Sequence, residues 1–172
     1  GEEMKQIVDE ATMNRMLTRI THEIVERNGS FEDTVIVGIK TRGMFLGQRL
    51  VQRIEALYQE SLPFESLDIS NYRDDLEPTG APTGITGDLT DKVVILVDDV
   101  LYTGRSIRAA LDAIIEHGRP KQIQLVTLID RGHREYPIRP DFVGKNIPTS
   151  NKETVVVNVK EIDDEDSVTL SQ

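Results

Sequence analysis

The stretch Val93–Ala113, VVILVDDVLYTGRSIRAALDA, constrains this chain more than any other. Five apolar residues, Val93–Val97, run straight into the acids Asp98 and Asp99. A turn follows over Val100–Ser106, then an amphipathic run, Ile107–His117, stopped by Gly118 and Pro120. A short β-branched run that is apolar on both faces fits a buried parallel strand. Apolar residues at 107, 110, 111, 114 and 115 fit a helix, and Gly followed by Pro ends one. The acids are therefore expected at the carboxyl end of a strand, with Thr103, Gly104, Arg105 and Ser106 at the amino end of a helix. In open α/β sheets that crevice is where ligands bind.

The flanking sequence repeats the alternation. Thr12–Asn28 carries Met13, Met16, Leu17, Ile20 and Ile24 on one side at helical spacing and is closed by Gly29. Thr34–Ile39 reads as a buried strand, Lys40–Gly43 as a turn and Met44–Leu57 as a helix. Phe64–Ile69 and Ile123–Ile129 read as further strands, and Phe142–Val143 and Thr154–Val159 as short ones. Strands alternating with helices imply a mainly parallel α/β sheet. Residues 71–91 are polar, with three glycines and two prolines. That is too long for an ordinary connection and is expected to form a flexible functional lid. Residues 161–172 are expected as an acidic, solvated tail. Residues 1–5 are expected as a second tail, with Met4 the native start, because Gly1 is no ordinary initiator.

At 172 residues the chain fits one domain. With no cysteine it has no disulfide and no thiolate metal site, which is compatible with a reducing compartment. It shows no signal-peptide pattern and no apolar run near 18 residues. A cytoplasmic protein that spans no membrane is expected. The net charge of −10 opposes bulk, unspecific nucleic-acid binding.

The chemistry of the central stretch follows from residue types. A helix start offers unpaired N–H groups and the positive end of the dipole, which suits a phosphate. Gly104 lets backbone come close, and Thr103 and Ser106 add hydroxyl donors. Two carboxylates cannot bind phosphate, but they accept hydrogen bonds from hydroxyl groups or hold Mg²⁺ with its waters. A ribose 5-phosphate satisfies both halves. The competing reading is that Asp98 and Asp99 merely cap a loop. A P-loop is excluded, because no G-x-x-x-x-G-K-[ST] is present. A receiver domain would carry its acid pair early, where Thr34–Ile39 has none.

VVILVDDVLYTGRS resembles the phosphoribosyl-pyrophosphate (PRPP) motif of type I phosphoribosyltransferases. TRITHEIVER, VGIKTRG, DRGHRE with PIR, and VGKNIPTS extend the likeness from about Thr12 to Val159 and resemble the PyrR-type pyrimidine operon regulators, which are also uracil phosphoribosyltransferases. The resemblance implies a type I phosphoribosyltransferase fold, a mainly parallel sheet flanked by helices with a flexible lid and a small hood. It implies conversion of uracil and PRPP to UMP and pyrophosphate, with Mg²⁺ held mainly through PRPP and pyrophosphate rather than by a protein metal site. Asp98 and Asp99 would hold the ribose hydroxyls. Val100, Leu101, Tyr102, Thr103, Gly104, Arg105 and Ser106 would form the motif turn, its last four residues cradling the 5-phosphate. Lys40, Thr41, Arg42 and Gly43 would hold pyrophosphate, and Arg73 would reach over it when the lid closes. Arg131 and the backbone of Val155 would face the base. Tyr102 stands where related purine enzymes carry an aspartate, which favours a pyrimidine. Taken alone, KTRG is a solvated turn, Arg73 a surface arginine, Arg131 a rim arginine and Val155 a core valine.

Arg15, Thr18, Arg19 and His22 lie opposite the apolar stripe of the first helix, with Arg27 near its end. Such a face is ordinarily solvated. Arginines and small hydroxyls also suit phosphates and unpaired bases of an RNA loop. The resemblance implies that this face, with Arg134, Arg139 and Lys145, binds a stem-loop in the leader of pyrimidine-operon mRNA. Binding would be promoted by UMP or UTP and opposed by PRPP, and would regulate transcription by attenuation. It also implies a homodimer or larger homo-oligomer. Two alternatives stand beside this: a nucleotide-sensing RNA-binding regulator with little turnover, and a purine phosphoribosyltransferase.

Overall fold

The computed structural model describes residues 4–172. Its centre is a five-stranded sheet built from β2 (Thr34–Ile39), β3 (Phe64–Leu67), β4 (Val93–Leu101), β5 (Gln122–Asp130) and β6 (Phe142–Asn146). The spatial order is β3-β2-β4-β5-β6, and every neighbouring pair is parallel. β2 is buried along its whole length, as a central parallel strand covered on both faces must be. The helices α1 (Glu10–Asn28), α2 (Arg42–Tyr58) and α3 (Arg105–Ile115) supply that cover. Met13, Leu17, Ile20 and Ile24 of α1 pack with Leu46, Leu50 and Ile54 of α2 on one face. Ile107, Ala110, Ala113 and Ile114 of α3 pack with Val94 and Leu96 on the other. Among the described residues no helix is long and apolar enough to cross a membrane.

Chain order through the sheet reverses between β2 and β4: β3 lies to one side of β2, and β4, β5 and β6 to the other. In doubly wound sheets such a switch point opens a crevice at the carboxyl ends of the two strands. Here those ends are Ile39 and Leu101, so the crevice falls between Lys40–Arg42 and the acids of β4. Two glycines let the walls come together. A Cβ on Gly38 would lie 2.6 Å from Met44 Cα, and one on Gly43 would lie 2.5 Å from Val97 O and 3.1 Å from Asp98 Cα. The first turn of α2 therefore rests directly on the backbone of β4 beside the acid pair.

Several sequence expectations need correction. β4 does not stop at Val97 but continues through the acids to Leu101, because β5 runs alongside and pairs with Asp98, Val100 and Leu101. α2 starts at Arg42 and α3 at Arg105, so Arg42, Gly43, Arg105 and Ser106 are first-turn helix residues rather than turn residues. Residues 4–8 and 167–171 are not tails but strands. β1 (Met4–Val8) and β8 (Ser167–Ser171) pair antiparallel, and β7 (Thr154–Asn158) completes a separate three-stranded sheet in the order β1-β8-β7. Met4 and Lys5 belong to β1; residues 1–3 lie outside the described residues. The acidic segment around α4 (Lys160–Asp163) is only partly solvated, with Glu161, Asp164 and Glu165 exposed. Arg49 binds both Glu161 and Asp166, Arg42 binds Asp163, and Asp166 is buried.

The expected lid is only partly exposed. Thr83, Ile85 and Leu89 are buried. Asp68 N donates to Thr83 O at 2.7 Å, Leu89 N donates to His117 O at 2.8 Å, and Glu65 accepts from the backbone of Thr86 and Gly87. The continuous exposed stretch runs only over residues 73–80.

Because α2 and β4 meet backbone to backbone, Gly43→Ala is expected to destabilise the fold by about 2–3 kcal/mol through forced separation of the two elements. Urea denaturation should show a lower midpoint with an unchanged slope.

Candidate active site

A cavity of about 300 Å³ opens at the switch point, lined by residues from both walls. β2 and the first turn of α2 bring Lys40, Thr41 and Arg42; β4 and α3 bring Asp98, Asp99, Val100 and Ser106; Arg73 comes from the start of the exposed loop. Asp68, Ile69 and Ser70 also line it and were missed in the sequence. They sit just past β3, and their only sequence signal is their place at a strand end. A smaller recess of about 40 Å³ shares Asp98, Val100 and Ser106 with the cleft and is otherwise walled by Leu101–Arg105 and Ile107. Gly104 caps α3 with φ +93°, a left-handed conformation that glycine adopts without penalty. The long recess wall and the helix start together form a cradle of amides and hydroxyls.

The acid pair is held by its own backbone. Asp98 Oδ1 accepts from Asp99 N at 2.9 Å, and Asp99 Oδ1 accepts from Val100 N at 2.7 Å. Asp98 is buried and Asp99 half-buried. Burial first, and the neighbouring Asp99 carboxylate second, push the Asp98 carboxyl well above the ordinary carboxylate range. Such a pair lacks positive charge and hydroxyl donors, and a ligand that brings either is drawn to it. Among the described residues no cluster of three or more His, Asp or Glu side chains converges into a metal cage. Two adjacent hard carboxylates do fit a Mg²⁺ that arrives with its own phosphate and water ligands. On the other wall Arg42 is a paired residue: its guanidinium meets Asp163 at 2.8 Å and 3.2 Å. Arg73 is held by Asp75 at 2.7 Å, and its neighbour Asp74 pairs with Arg105 at 2.7 Å.

The residues expected on the base side come from three segments: Tyr102 follows β4, Arg131 follows β5, and Val155 lies in β7. Arg131 is buried rather than on the rim. Its Nε donates to Thr149 Oγ1, and its Nη2 donates to the carbonyls of Ser150 and Glu153. The guanidinium lies 4.1 Å from the centre of the Tyr102 ring, and His133 stacks on the same tyrosine at 5.8 Å. Neither Arg131, Tyr102 nor Val155 lines the larger cavity. The Val155 side chain is buried in the core, as a valine alternating along β7 should be.

The basic face is more compensated than its sequence suggests. A groove of about 500 Å³ runs along α1 between Asn14, Arg15, Thr18, Arg19, His22, Glu23 and Glu26. Arg19 pairs with Glu23 at 2.6 Å and donates to the carbonyls of Val143 and Gly144. His22 bonds the Tyr58 hydroxyl, and Arg27 pairs with Asp141. Lys145 and Arg139 are exposed, and Lys145 lies on β6, which packs on α1. Arg134 does not join this face. Its guanidinium is spent on Asp130, Ile138 O and Tyr102 O, bracing the loop after β5.

Comparison with known proteins bears on the family and the fold. The family model for the phosphoribosyl transferase domain matches residues 3–162. The bifunctional protein PyrR of Limosilactobacillus fermentum is 58% identical over 172 residues, covering 96% of each chain. Its counterpart in Brevibacillus brevis is 57% identical over 171 residues, again 96% of each. That of Streptococcus pneumoniae is 51% identical over 168 residues, covering 98% of this chain and 97% of the relative. Among solved structures, a hypoxanthine-guanine phosphoribosyltransferase from Bacillus anthracis superposes with TM-score 0.75 at 18% identity, covering 100% and 99% of the two chains. A Trypanosoma cruzi hypoxanthine phosphoribosyl transferase superposes with TM-score 0.77 at 15% identity, covering 98% and 91%. At those identities the superpositions speak to fold alone.

The raised Asp98 carboxyl has a stability consequence. From the unfolded value near pH 4 up to its raised native value, the folded protein binds more protons than the unfolded chain. Stability therefore falls as pH rises through that window. In the ligand-free protein Asp98→Asn is expected to raise stability at pH 7 by on the order of 1–2 kcal/mol and to flatten the decline. Thermal melts of both proteins between pH 4 and 8 measure this.

Proposed function

The chain belongs to the family of bifunctional PyrR proteins and carries their phosphoribosyl transferase domain, and on that footing we propose that it is a uracil phosphoribosyltransferase which also regulates pyrimidine-biosynthesis genes by binding leader mRNA. The observation that carries the enzymatic half is one cleft holding both an acid pair and a cationic wall, with a phosphate cradle beside it. In PRPP the ribose hydroxyls lie between the 5-phosphate and the pyrophosphate. Asp98 and Asp99 accept from those hydroxyls, Thr103–Ser106 cradle the 5-phosphate, and Lys40–Gly43 take the pyrophosphate. Arg73 closes over it from the exposed loop.

The reaction forms a bond from a ring nitrogen of uracil to C1 of the ribose, breaks the bond from C1 to pyrophosphate, and releases the ring N–H proton to solvent or to the departing pyrophosphate. Positive charge develops on the sugar and negative charge on the departing group. The carboxylates beneath the sugar and the cations beside the pyrophosphate are preorganised for that separation. The residues also align nucleophile and leaving group, which removes part of the entropic barrier. Asp98 and Asp99 are the residues that would hold a Mg²⁺ arriving with PRPP, and the ion would supply charge neutralisation on the pyrophosphate. Closure of residues 73–80 excludes the water that would hydrolyse PRPP. On the base side Arg131 orders the loop Thr149–Glu153, whose backbone, with that of Val155, offers donors and acceptors to the uracil edge. Tyr102, flanked by Arg131 and His133, fills space that a larger purine would need.

The regulatory half rests on the α1 groove. Arg15, Thr18, Arg19, His22 and Lys145 present cations and hydroxyls to an RNA loop, with Arg27 at the margin. UMP in the cleft favours the RNA-binding conformation and PRPP opposes it, which requires that the two ligands prefer different states. The protein works in the cytoplasm as a homodimer or larger homo-oligomer.

Asp99→Asn is expected to lower uracil-dependent PRPP turnover at least about 10²-fold through lost charge stabilisation and positioning. Unchanged turnover would remove Asp99 from the site. Among the described residues the Arg15 side chain hydrogen-bonds only Thr12, in its own helix, so Arg15→Ala probes RNA with little effect on packing. It is expected to keep turnover while flattening the slope of log affinity against log salt by roughly 0.7–0.9 for one lost phosphate contact. Titration of a pyrimidine-operon leader RNA, with and without UMP, reads this.

A further inference from the structure

Arg42 and Arg49 stand seven residues apart on α2, two turns along one face. Both reach the same segment of the hood, the part built from β1, β7, β8 and α4. Arg49 grips Asp166 at 2.7 Å and Glu161 at 2.5 Å, far from the cleft. Arg42 differs, because it lines the cleft itself. Asp163 takes its Nε at 3.2 Å and its Nη2 at 2.8 Å. Asp163 is in turn fixed by Val159 N, which donates to the same Oδ2 at 2.8 Å. A fork bound along one edge is held in orientation, and its remaining nitrogen, Nη1, is left to serve the cleft. Without Asp163 the arginine would sample many rotamers, and each ligand contact would carry the entropy of ordering it.

Resting on the phosphoribosyl transfer proposed above, we propose that Asp163 is a positioning residue for the pyrophosphate end of PRPP, acting through Arg42 from the hood. Asp163 itself lines no part of the cleft. Its effect is confined to ligands that carry pyrophosphate. UMP, which has the base, sugar and 5-phosphate but no pyrophosphate, is bound without it.

The test compares Asp163→Asn with Asp166→Asn, which loosens the same segment at its structural anchor. For Asp163→Asn the KM for PRPP and the inhibition constant for pyrophosphate are expected to rise together by about tenfold, the loss of one charge-assisted contact. The kcat is expected to fall less, by no more than about threefold, since most of the pyrophosphate's negative charge is already present in the ground state and only the increment develops as the bond breaks. UMP affinity, measured by calorimetry, should not move. Asp163→Glu, which keeps the charge, should recover most of the PRPP affinity. Asp166→Asn should lower the melting temperature and leave the ratio of PRPP to UMP affinity at the wild-type value. A folded Asp163→Asn with unchanged PRPP and pyrophosphate constants overturns the proposal. So does an equal loss for PRPP, pyrophosphate and UMP, which would make Asp163 a structural residue only. If Asp163→Asn does not fold, Asp163→Glu decides: a shift of about two- to threefold in the PRPP-to-UMP ratio supports the proposal, and no shift overturns it. A wild-type protein without turnover would overturn both this role and the transfer reaction, whereas an active wild type beside an unaffected variant overturns this role alone.

Discussion

The contact between the first turn of α2 and the backbone of β4 sets the geometry of everything at the cleft. With hydrogen in place of a side chain at residue 43, the helix start settles against Val97 O and Asp98 Cα. That contact fixes how far the cationic wall stands from the acid pair. It also buries Asp98, and burial next to a second carboxylate is what makes the pair avid for protons and cations. Stability is given up at that point in exchange for a site that a charged, hydroxylated ligand completes, a common trade at functional centres. The rest of the sheet can afford it, because its two apolar layers are continuous.

What the sequence disclosed was whatever local pattern can encode. The buried strand, the acids and the helix start of Val93–Ala113 are contiguous, and their order alone brings them to one sheet edge. Helical spacing in α1 and β-branching in β2 are equally local. Boundaries were less legible: β4 outlasts its apolar run because β5 pairs with it, and that partner is invisible in the strand's own residues. Least legible was the hood. β1 and β8 are five residues each and lie at opposite ends of the sequence. Their alternation marks them as strands only once each is seen to have the other. The acids at 161, 163 and 166 looked like a solvated run because their arginine partners lie more than a hundred residues away.

The basic face of α1 teaches a related lesson about charge. In sequence, Arg15, Arg19, Arg27 and Arg134 count equally. In the fold, Arg27 answers Asp141, Arg134 braces a loop, and Arg19 ties α1 to the carbonyls of β6. Arg19 thus touches the strand that leads, within a few residues, to the loop held by Arg131. β6 and its continuation join this face to the loop that Arg131 holds.

The pairing of β1 with β8 has a consequence for how the molecule is made. β1 leaves the ribosome well before its partner β8, and the pair can form only after residues 167–171 are synthesised. The central sheet can assemble before then, but the segment that receives Arg42 and Arg49 follows all five of its strands in the sequence. Until that segment emerges, the acid pair and the phosphate cradle are in place while the Arg42 side chain has no Asp163 to hold it. Order at that arginine is therefore added to the cleft after the strands that build it.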